Sequence, residues 1–248
     1  MGVRLLAALA APILISGCVH EVARFTPQGD QEAIYRDGNP AIVSRKAGSI
    51  VMAAPASRQF QVGQRPVYVI GVYNLGGAPM NFAMNGVAAR QLKSGQVDRE
   101  LKVYTYEQLV AEEKAKQFAA GVLLVLAAGI NAASAANAGH YSGRATVHGP
   151  GGTRHVSYSG YSPTANAIAQ ARAGAQNEAM IGNAIQQGQF KLASLEQGVL
   201  KDNTMMPGEW YGGQLHFDAP YDGERKYRIS IQVGPDVHEI DVAHESVS

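Results

Sequence analysis

The chain has 248 residues and nearly balanced charge, with 21 Lys and Arg residues against 20 Asp and Glu residues. This balance excludes the basic excess that drives nonspecific nucleic-acid binding, so no nucleic-acid partner is predicted. A single cysteine in the whole sequence excludes a disulfide framework within the chain.

The N-terminus has the order of a secretory signal. Arg4 is followed by an apolar run at residues 5–15, which is too short to cross a bilayer core of about 30 Å as a helix. Residues 15–18 read Ile-Ser-Gly-Cys. This run resembles the lipobox of bacterial lipoproteins, in which a large aliphatic residue and two small residues precede an invariant cysteine.

The lipobox resemblance implies that residues 1–17 are removed and that Cys18 carries a diacylglyceryl thioether and an acylated amino group. Several acyl chains hold a protein firmly to a membrane, whereas one chain binds only marginally. The mature chain then has no free thiol. Val19 follows the cysteine, and the absence of Asp at this position favours the outer membrane, with the protein facing the periplasm.

The first part of the mature chain predicts a tether followed by short strands. Residues 18–40 are polar and rich in turn signals, so they are predicted to be a lipidated tether. The β-branched and aromatic run at 66–74 is the clearest strand. Shorter strand patterns lie at 41–44, 49–52, 80–84, 87–89 and 102–104.

The pattern then changes to helix. Thr105 and Gln108 have the spacing of a capping box, which predicts a helix from there to about Asn137. Residues 118–130 contain no polar side chain. A Gly/Ser/Tyr-rich segment at 139–163 is predicted to be a short hairpin or a flexible loop.

A second helix is predicted to begin at Pro163, with Ser162 as its cap, and to extend to about residue 198. Strand patterns return at 213–218, 227–233 and 237–242. The predicted fold class is α+β, an Ig-like antiparallel β-sandwich (41–104 and 203–243) interrupted by a long Ala/Gly-rich helical hairpin at 105–202.

Two stretches carry a second resemblance. The sequence at 106–114 fits the pattern Tyr-x-x-Leu-Val-Ala-Glu-Glu-Lys, and 207–213 fits Pro-Gly-x-x-Tyr-Gly-Gly. With the strands around them, these stretches resemble uncharacterised Ig-like envelope lipoproteins. No function is attached to this resemblance.

The sequence contains no nucleophile elbow or phosphate-binding loop, and no pair of carboxylates can be picked out as an acid and a base, so neither an enzyme nor a cofactor is predicted. His238 lacks the second histidine of a zinc-protease motif because residue 242 is Val. His148 and His155 in the 139–163 segment are weak candidates for metal ligands, since they are diagonal neighbours at best in a hairpin. Trp210 is predicted to plug the core, and the alternative is an exposed binding patch with Tyr211.

The apolar helix allows three interpretations. It packs on the second helix through Ala128, Ala132 and Ala136, opposite notches at Gly174 and Gly182; it enters a membrane; or it self-associates. The predicted function is a non-catalytic envelope lipoprotein with a structural or protein-interaction role, accessory to a larger assembly, whose partner is another protein or its own copies. The alternative is an oligomerising, membrane-perturbing or pore-related lipoprotein that uses the 118–138 helix.

Overall fold

The structure is a computed structural model that describes residues 20–36, 38–150, 152–221 and 225–247. The predicted signal peptide and the lipidation site at Cys18 lie outside the described residues. The described residues contain two helices, α1 (Tyr106–Asn137) and α2 (Pro163–Gly198). The strands are β1 (His20–Thr26), β2 (Gln31–Arg36), β3 (Asn39–Arg45), β4 (Ser49–Pro55), β5 (Phe60–Gln61), β6 (Val67–Asn74), β7 (Met80–Lys93), β8 (Gln96–Leu101), β9 (Val103–Tyr104), β10 (His140–Gly149), β11 (Gly152–Tyr161), β12 (Asn203–Met205), β13 (Trp210–Phe217), β14 (Lys226–Val233) and β15 (Asp236–Val247).

The predicted mixed α+β class is confirmed, and every strand pairing in the described residues is antiparallel. One sheet has the order β12-β7-β14-β15-β1-β5, with β8 also paired to β7. A second sheet has the order β2-β3-β4-β6-β13-β9. The strands β10 and β11 form a separate two-stranded hairpin.

The two large sheets pack face to face around one apolar core. In β14, residues 227, 229, 231 and 233 are buried, which is the period of two expected for a strand with one face in a core. Tyr68 of the second sheet contacts Phe25 and Tyr227 of the first through edge-to-face ring pairs. Burial of such large side chains is the main stabilising term of this part of the chain.

Contacts divide the chain into two compact units. The first contains the described residues up to Tyr104 and from Leu200 onward, with both large sheets. The second, Thr105–Val199, contains α1, β10, β11 and α2.

The predicted tether at 18–40 is wrong from residue 20 onward. His20–Thr26 forms β1, which pairs with β15 along its whole length, and Gln31–Arg36 forms β2 on β3. Ala23 and Phe25 of β1 belong to the core. The segment was missed because only these few apolar residues alternate with polar ones, a pattern too short to separate from a polar loop.

Other strands also differ from their predictions, β7 and β8 among them. The separate strands predicted at 80–84 and 87–89 form one strand, β7, whose pairing with β14 shifts register between Ile231 and Val233. Gly86 lies at this irregularity, where a Cβ atom would meet Gln232. Strand β8 was not predicted because its sequence is largely polar and its side chains are mostly exposed.

Both helix starts are confirmed. The Thr105 hydroxyl accepts a hydrogen bond from the Gln108 backbone N–H. The Gln108 side-chain oxygen accepts one from the Thr105 backbone N–H, which completes the capping box of α1. Ser162 accepts one from the Ala165 amide at the start of α2, and Pro163 occupies the first turn.

Asn74 at the end of β6 provides a test of the sheet unit. Its fully buried amide donates to the carbonyls of Ala78 and Met205 and accepts from the Gly76 N–H. We expect Asn74→Ala to lower the free energy of unfolding by about 2–4 kcal/mol, because it removes these bonds and leaves buried backbone groups unsatisfied. Urea unfolding followed by circular dichroism measures this.

The matched control is Asn81→Ala. Asn81 is exposed and accepts a hydrogen bond from the Thr204 hydroxyl at the surface. We expect a loss of less than about 1 kcal/mol, since water replaces an exposed bond. Equal losses for the two variants would contradict a structural role for Asn74.

Candidate functional site

The helices α1 and α2 run in opposite directions and contact each other through amide side chains. Gln117 of α1 donates to the Gly188 carbonyl at 3.0 Å, and Asn131 donates to Asn177 at 2.9 Å. Asn166 of α2 donates to the carbonyls of Ala135 and Ala136 near the other end. Hydrogen bonds from amide side chains therefore join the two helices at several points along their length.

The predicted notches on α2 are not at the expected glycines. A Cβ atom at Gly174 or Gly182 would meet no neighbouring atom within 4 Å, so neither residue is a point of close approach between the helices. The close approach is at Gly188, which is buried and where a Cβ atom would meet the Gln117 side chain. The prediction assumed small residues at regular spacing, whereas the interface is set by amides that reach backbone carbonyls.

The large apolar side chains of α1 lie on the side away from this polar interface. At 100° per residue, the exposed residues between 118 and 130 fall on one broad face, and the residues that contact α2 fall opposite. Their exposed fractions are Phe118 77%, Val122 49%, Leu123 67%, Val125 70%, Leu126 60% and Ile130 68%. We call this surface the α1 face. It is the reverse of the usual surface helix, whose apolar side packs inward.

A groove runs between α1 and α2 beside the α1 face. Its volume is about 550 Å³, which is within the range of ligand-sized pockets. Leu124 and Val125 of α1 and Ile181 and Ile185 of α2 give it apolar walls. Charged side chains lie only at one end, where Lys191 forms an ion pair of 3.9 Å with Glu113. The groove therefore suits an apolar occupant.

The segment 139–163 forms an ordered hairpin, the first of the two alternatives, and its strands are longer than predicted. His148 pairs with Thr153, and Thr146 pairs with His155, so the two histidines are diagonal neighbours, as expected. Each histidine ring is hydrogen-bonded to the threonine opposite, at 2.9 Å for His148 and 3.1 Å for His155. Among the described residues, no group of three or more His, Cys, Asp or Glu side chains is placed to hold a metal ion.

One buried polar cluster joins the two large sheets. The Ser49 hydroxyl donates to Asp236 at 2.7 Å and lies 2.9 Å from His238 Nε2, while His238 Nδ1 lies 2.9 Å from the Ser44 hydroxyl. Because the Ser49 hydroxyl donates its proton to the hydrogen bond with Asp236, it accepts a hydrogen bond from Nε2–H of the neutral His238 imidazole. Burial lowers the pKa of His238 to about 4, against an opposing effect of Asp236. The histidine is thus neutral and structural.

A second cluster lies in the same unit. Tyr68 and Tyr227 hydrogen-bond to each other and to His244, whose Nδ1 lies 3.4 Å from Glu21. Glu21 is also ion-paired with Arg225. Burial raises the pKa of both tyrosines, and burial and then Arg225 lower the pKa of His244 to about 4.

Sequence reasoning missed both histidines as core residues. His238 has the same parity along β15 as the buried Ile240 and Val242, so the alternation of that strand was the signal. The predicted core plug at Trp210 is wrong. This residue is 53% exposed. Its ring contacts the Tyr73 ring in a tilted arrangement, with centroids 4.9 Å apart, and covers Gly71 on the outer side of its sheet.

Comparison with protein-family models, with curated proteins and with solved structures finds no match to this chain. One described helix, α1, is long and apolar enough to cross a membrane by length and composition. Its most apolar 18-residue window has a mean hydropathy of 1.9, and 6% of that window is buried. Function is therefore inferred from the chemistry of the chain itself.

The two buried histidines make the sheet unit sensitive to acid. Between pH 6.5 and 4 the unfolded chain binds protons at these positions and the folded chain does not, so the free energy of unfolding falls as the pH falls. Each histidine accounts for a loss of about 3 kcal/mol in the free energy of unfolding across this interval. Denaturant unfolding at pH 7, 5.5 and 4.5 measures the slope.

We expect His238→Gln to flatten this slope, because glutamine does not titrate. The matched control is His148→Gln on the exposed hairpin, which we expect to leave the slope unchanged. An unchanged slope in His238→Gln would show that His238 is not held neutral.

Proposed function

We propose that the chain is a non-catalytic lipoprotein of the bacterial envelope, an Ig-like sandwich interrupted by a helical hairpin, whose hairpin binds further copies of the same chain. The observation that carries the proposal is the α1 face. It leaves six large apolar side chains in water, on the order of several hundred Å², and soluble monomers rarely expose such a patch. The lipid on Cys18, where the lipobox resemblance puts it, attaches the assembly to the membrane.

The same unit offers two complementary apolar surfaces. The α1 face is a protruding row around Phe118, Val122 and Leu126, and the groove beside it is concave with Ile181 and Ile185 on its wall. The row of one copy fits the groove of the next, which is a head-to-tail contact. Repeated contacts of this kind close into a ring or extend as a filament. A second copy is therefore the occupant that the surface itself supplies.

Association is tested with the mature chain carrying Cys18→Ser, so that lipid does not contribute. We expect the chain to form oligomers in sedimentation velocity experiments and Leu126→Glu to weaken association about 30-fold. This factor corresponds to about 2 kcal/mol, the contribution of one buried leucine side chain. The control Ala111→Glu adds the same side chain to the exposed, charged start of α1 and should associate like the parent. A parent chain that stays monomeric, or a Leu126→Glu chain that associates normally, contradicts the proposal.

A mixing experiment tests the head-to-tail arrangement. Leu126→Glu damages the row and Ile185→Glu damages the groove, so each chain alone should be monomeric. A mixture should form heterodimers, because the intact groove of the first chain receives the intact row of the second. A mixture that remains monomeric would contradict head-to-tail contact, and an Ile185→Glu chain that associates by itself would indicate row-to-row contact.

A second candidate function is membrane perturbation by α1, favoured by the mean hydropathy of 1.9 over its apolar window. The contacts of α1 oppose it. Since α1 is hydrogen-bonded to α2 at Gln117, Asn131 and Ala135, its entry into lipid would take along Arg172 and Glu178 of α2. Charged side chains at the bilayer centre are costly.

Labelling distinguishes the two functions. In the Cys18→Ser background, we expect Leu123→Cys to react with a water-soluble maleimide equally well before and after the protein is mixed with vesicles. Protection of this position by vesicles would support insertion of α1.

A further inference from the structure

The β10–β11 hairpin has one apolar and one polar face along its whole length. Pairing places the odd-numbered residues of β10 beside the even-numbered residues of β11. One face thus carries Tyr141, Gly143, Ala145, Val147, Gly149, Gly152, Arg154, Val156, Tyr158 and Gly160. The other carries His140, Ser142, Arg144, Thr146, His148, Thr153, His155, Ser157, Ser159 and Tyr161. A soluble sheet with this pattern packs its apolar face on a core.

This apolar face is not covered within the chain. The side chains of Tyr141, Val147 and Tyr158 are each 54% exposed, and Val156 is 48% exposed. The two tyrosine rings lie across the hairpin over glycines of the opposite strand, Tyr141 over Gly160 and Tyr158 over Gly143, where a Cβ atom would overlap the ring. The face is therefore an apolar surface that is exposed to water.

The dimensions of the hairpin match a bilayer. Each strand has ten residues, and a strand that crosses a membrane at about 45° needs about 9–11 residues. The tyrosines lie in the half of the hairpin nearest the helices, and the turn at Pro150 is free of aromatic residues. Membrane-spanning strands have aromatic girdles at both interfaces, and these tyrosines would supply the girdle at one of them.

The charges also suit a membrane. From residue 114 to residue 177 the sequence has no Asp or Glu, and the charged residues of β10 and β11 are Arg144 and Arg154. Arg144 is on the polar face. Arg154 is the one charge on the apolar face, and it lies close to the turn, where its long side chain reaches the headgroup level. Phospholipid headgroups attract such cations.

The two outer edges of the hairpin need hydrogen-bonding partners if the hairpin lies in a membrane. In the described residues, β10 and β11 pair only with each other, so each has one open edge of backbone N–H and C=O groups. Open edges cannot remain in hydrocarbon because nothing there forms hydrogen bonds with them. The same hairpin on neighbouring copies provides matching edges, and the self-association proposed above brings copies together.

We infer that β10–β11 is a membrane-spanning hairpin, and that its edges pair with the same hairpin of neighbouring copies to close a transmembrane β-barrel. Its apolar face contacts lipid, and its polar face, with the serines, threonines and histidines, lines the interior. Barrels of this type have about eight or more strands, so about four or more copies are required. The inference rests on the proposed self-association.

The faces are tested with an environment-sensitive dye on single cysteines in the Cys18→Ser background. The vesicles contain phosphatidylethanolamine and phosphatidylglycerol. We expect dye on Ala145→Cys and Val156→Cys to be quenched by a nitroxide on the lipid tails and not by iodide. Dye on the adjacent Thr146→Cys and Ser157→Cys should show the reverse. Loss of this alternation, with all four positions open to iodide, would overturn the inference.

Dye release from the same vesicles provides a functional readout. Val156→Asp adds a charge to the lipid-facing side and should reduce release at least tenfold, whereas Ser157→Asp adds the same charge one residue away and should stay within about twofold of the parent. Both variants should still associate in sedimentation experiments, which shows that α1 and α2 remain folded. Equal release by the two variants would contradict the assignment of faces.

The outcomes separate the two proposals. If the parent chain associates through the α1 face but neither releases dye nor shows alternating quenching, the barrel is wrong and self-association stands. If the parent chain remains monomeric in solution and on vesicles, self-association is wrong and the barrel is wrong with it.

Discussion

The contact between α1 and α2 is the constraint on which the rest of the second unit depends. Gln117, Asn131 and Asn166 use their amides to hold the two helices together. Most of the large apolar side chains of α1 lie away from these amides and are exposed, whereas Leu124 lines the groove between the helices. A helix pair with the exposed side chains in its interface would have hidden them from water.

The two units are stabilised in different ways. The sheet unit has a continuous core in which Phe25, Tyr68 and Tyr227 pack across the sheets, and its buried polar clusters are internally hydrogen-bonded. The second unit buries few apolar side chains, with Leu109, Ala135 and Ala173 among them. Burial of apolar surface is the dominant favourable term in folding and association, so the second unit has less of this stabilisation within the chain than the sheet unit has.

Local signals predicted the helices well and the sheet edges poorly. The capping box at Thr105 and the Ser162–Pro163 pair involve residues only a few positions apart, so sequence alone is sufficient to predict them. The strands β1, β2 and β8 depend on partners that are distant in sequence, and their own patterns are short or polar. Trp210 was misplaced because its environment is set by which side of β13 faces the core, and two glycines follow it in that strand without indicating a face.

By itself the sequence determined the α+β order of elements, both helix starts and the uninterrupted apolar run of α1. Each of these features follows from the identity and spacing of neighbouring residues. Only the tertiary structure decided that the apolar run is exposed, that the hairpin separates its apolar residues from its polar ones, and that His238 and His244 are buried. Periodicity shows which residues share a face. It does not show what that face contacts, because burial is a property of the neighbours that the fold brings together.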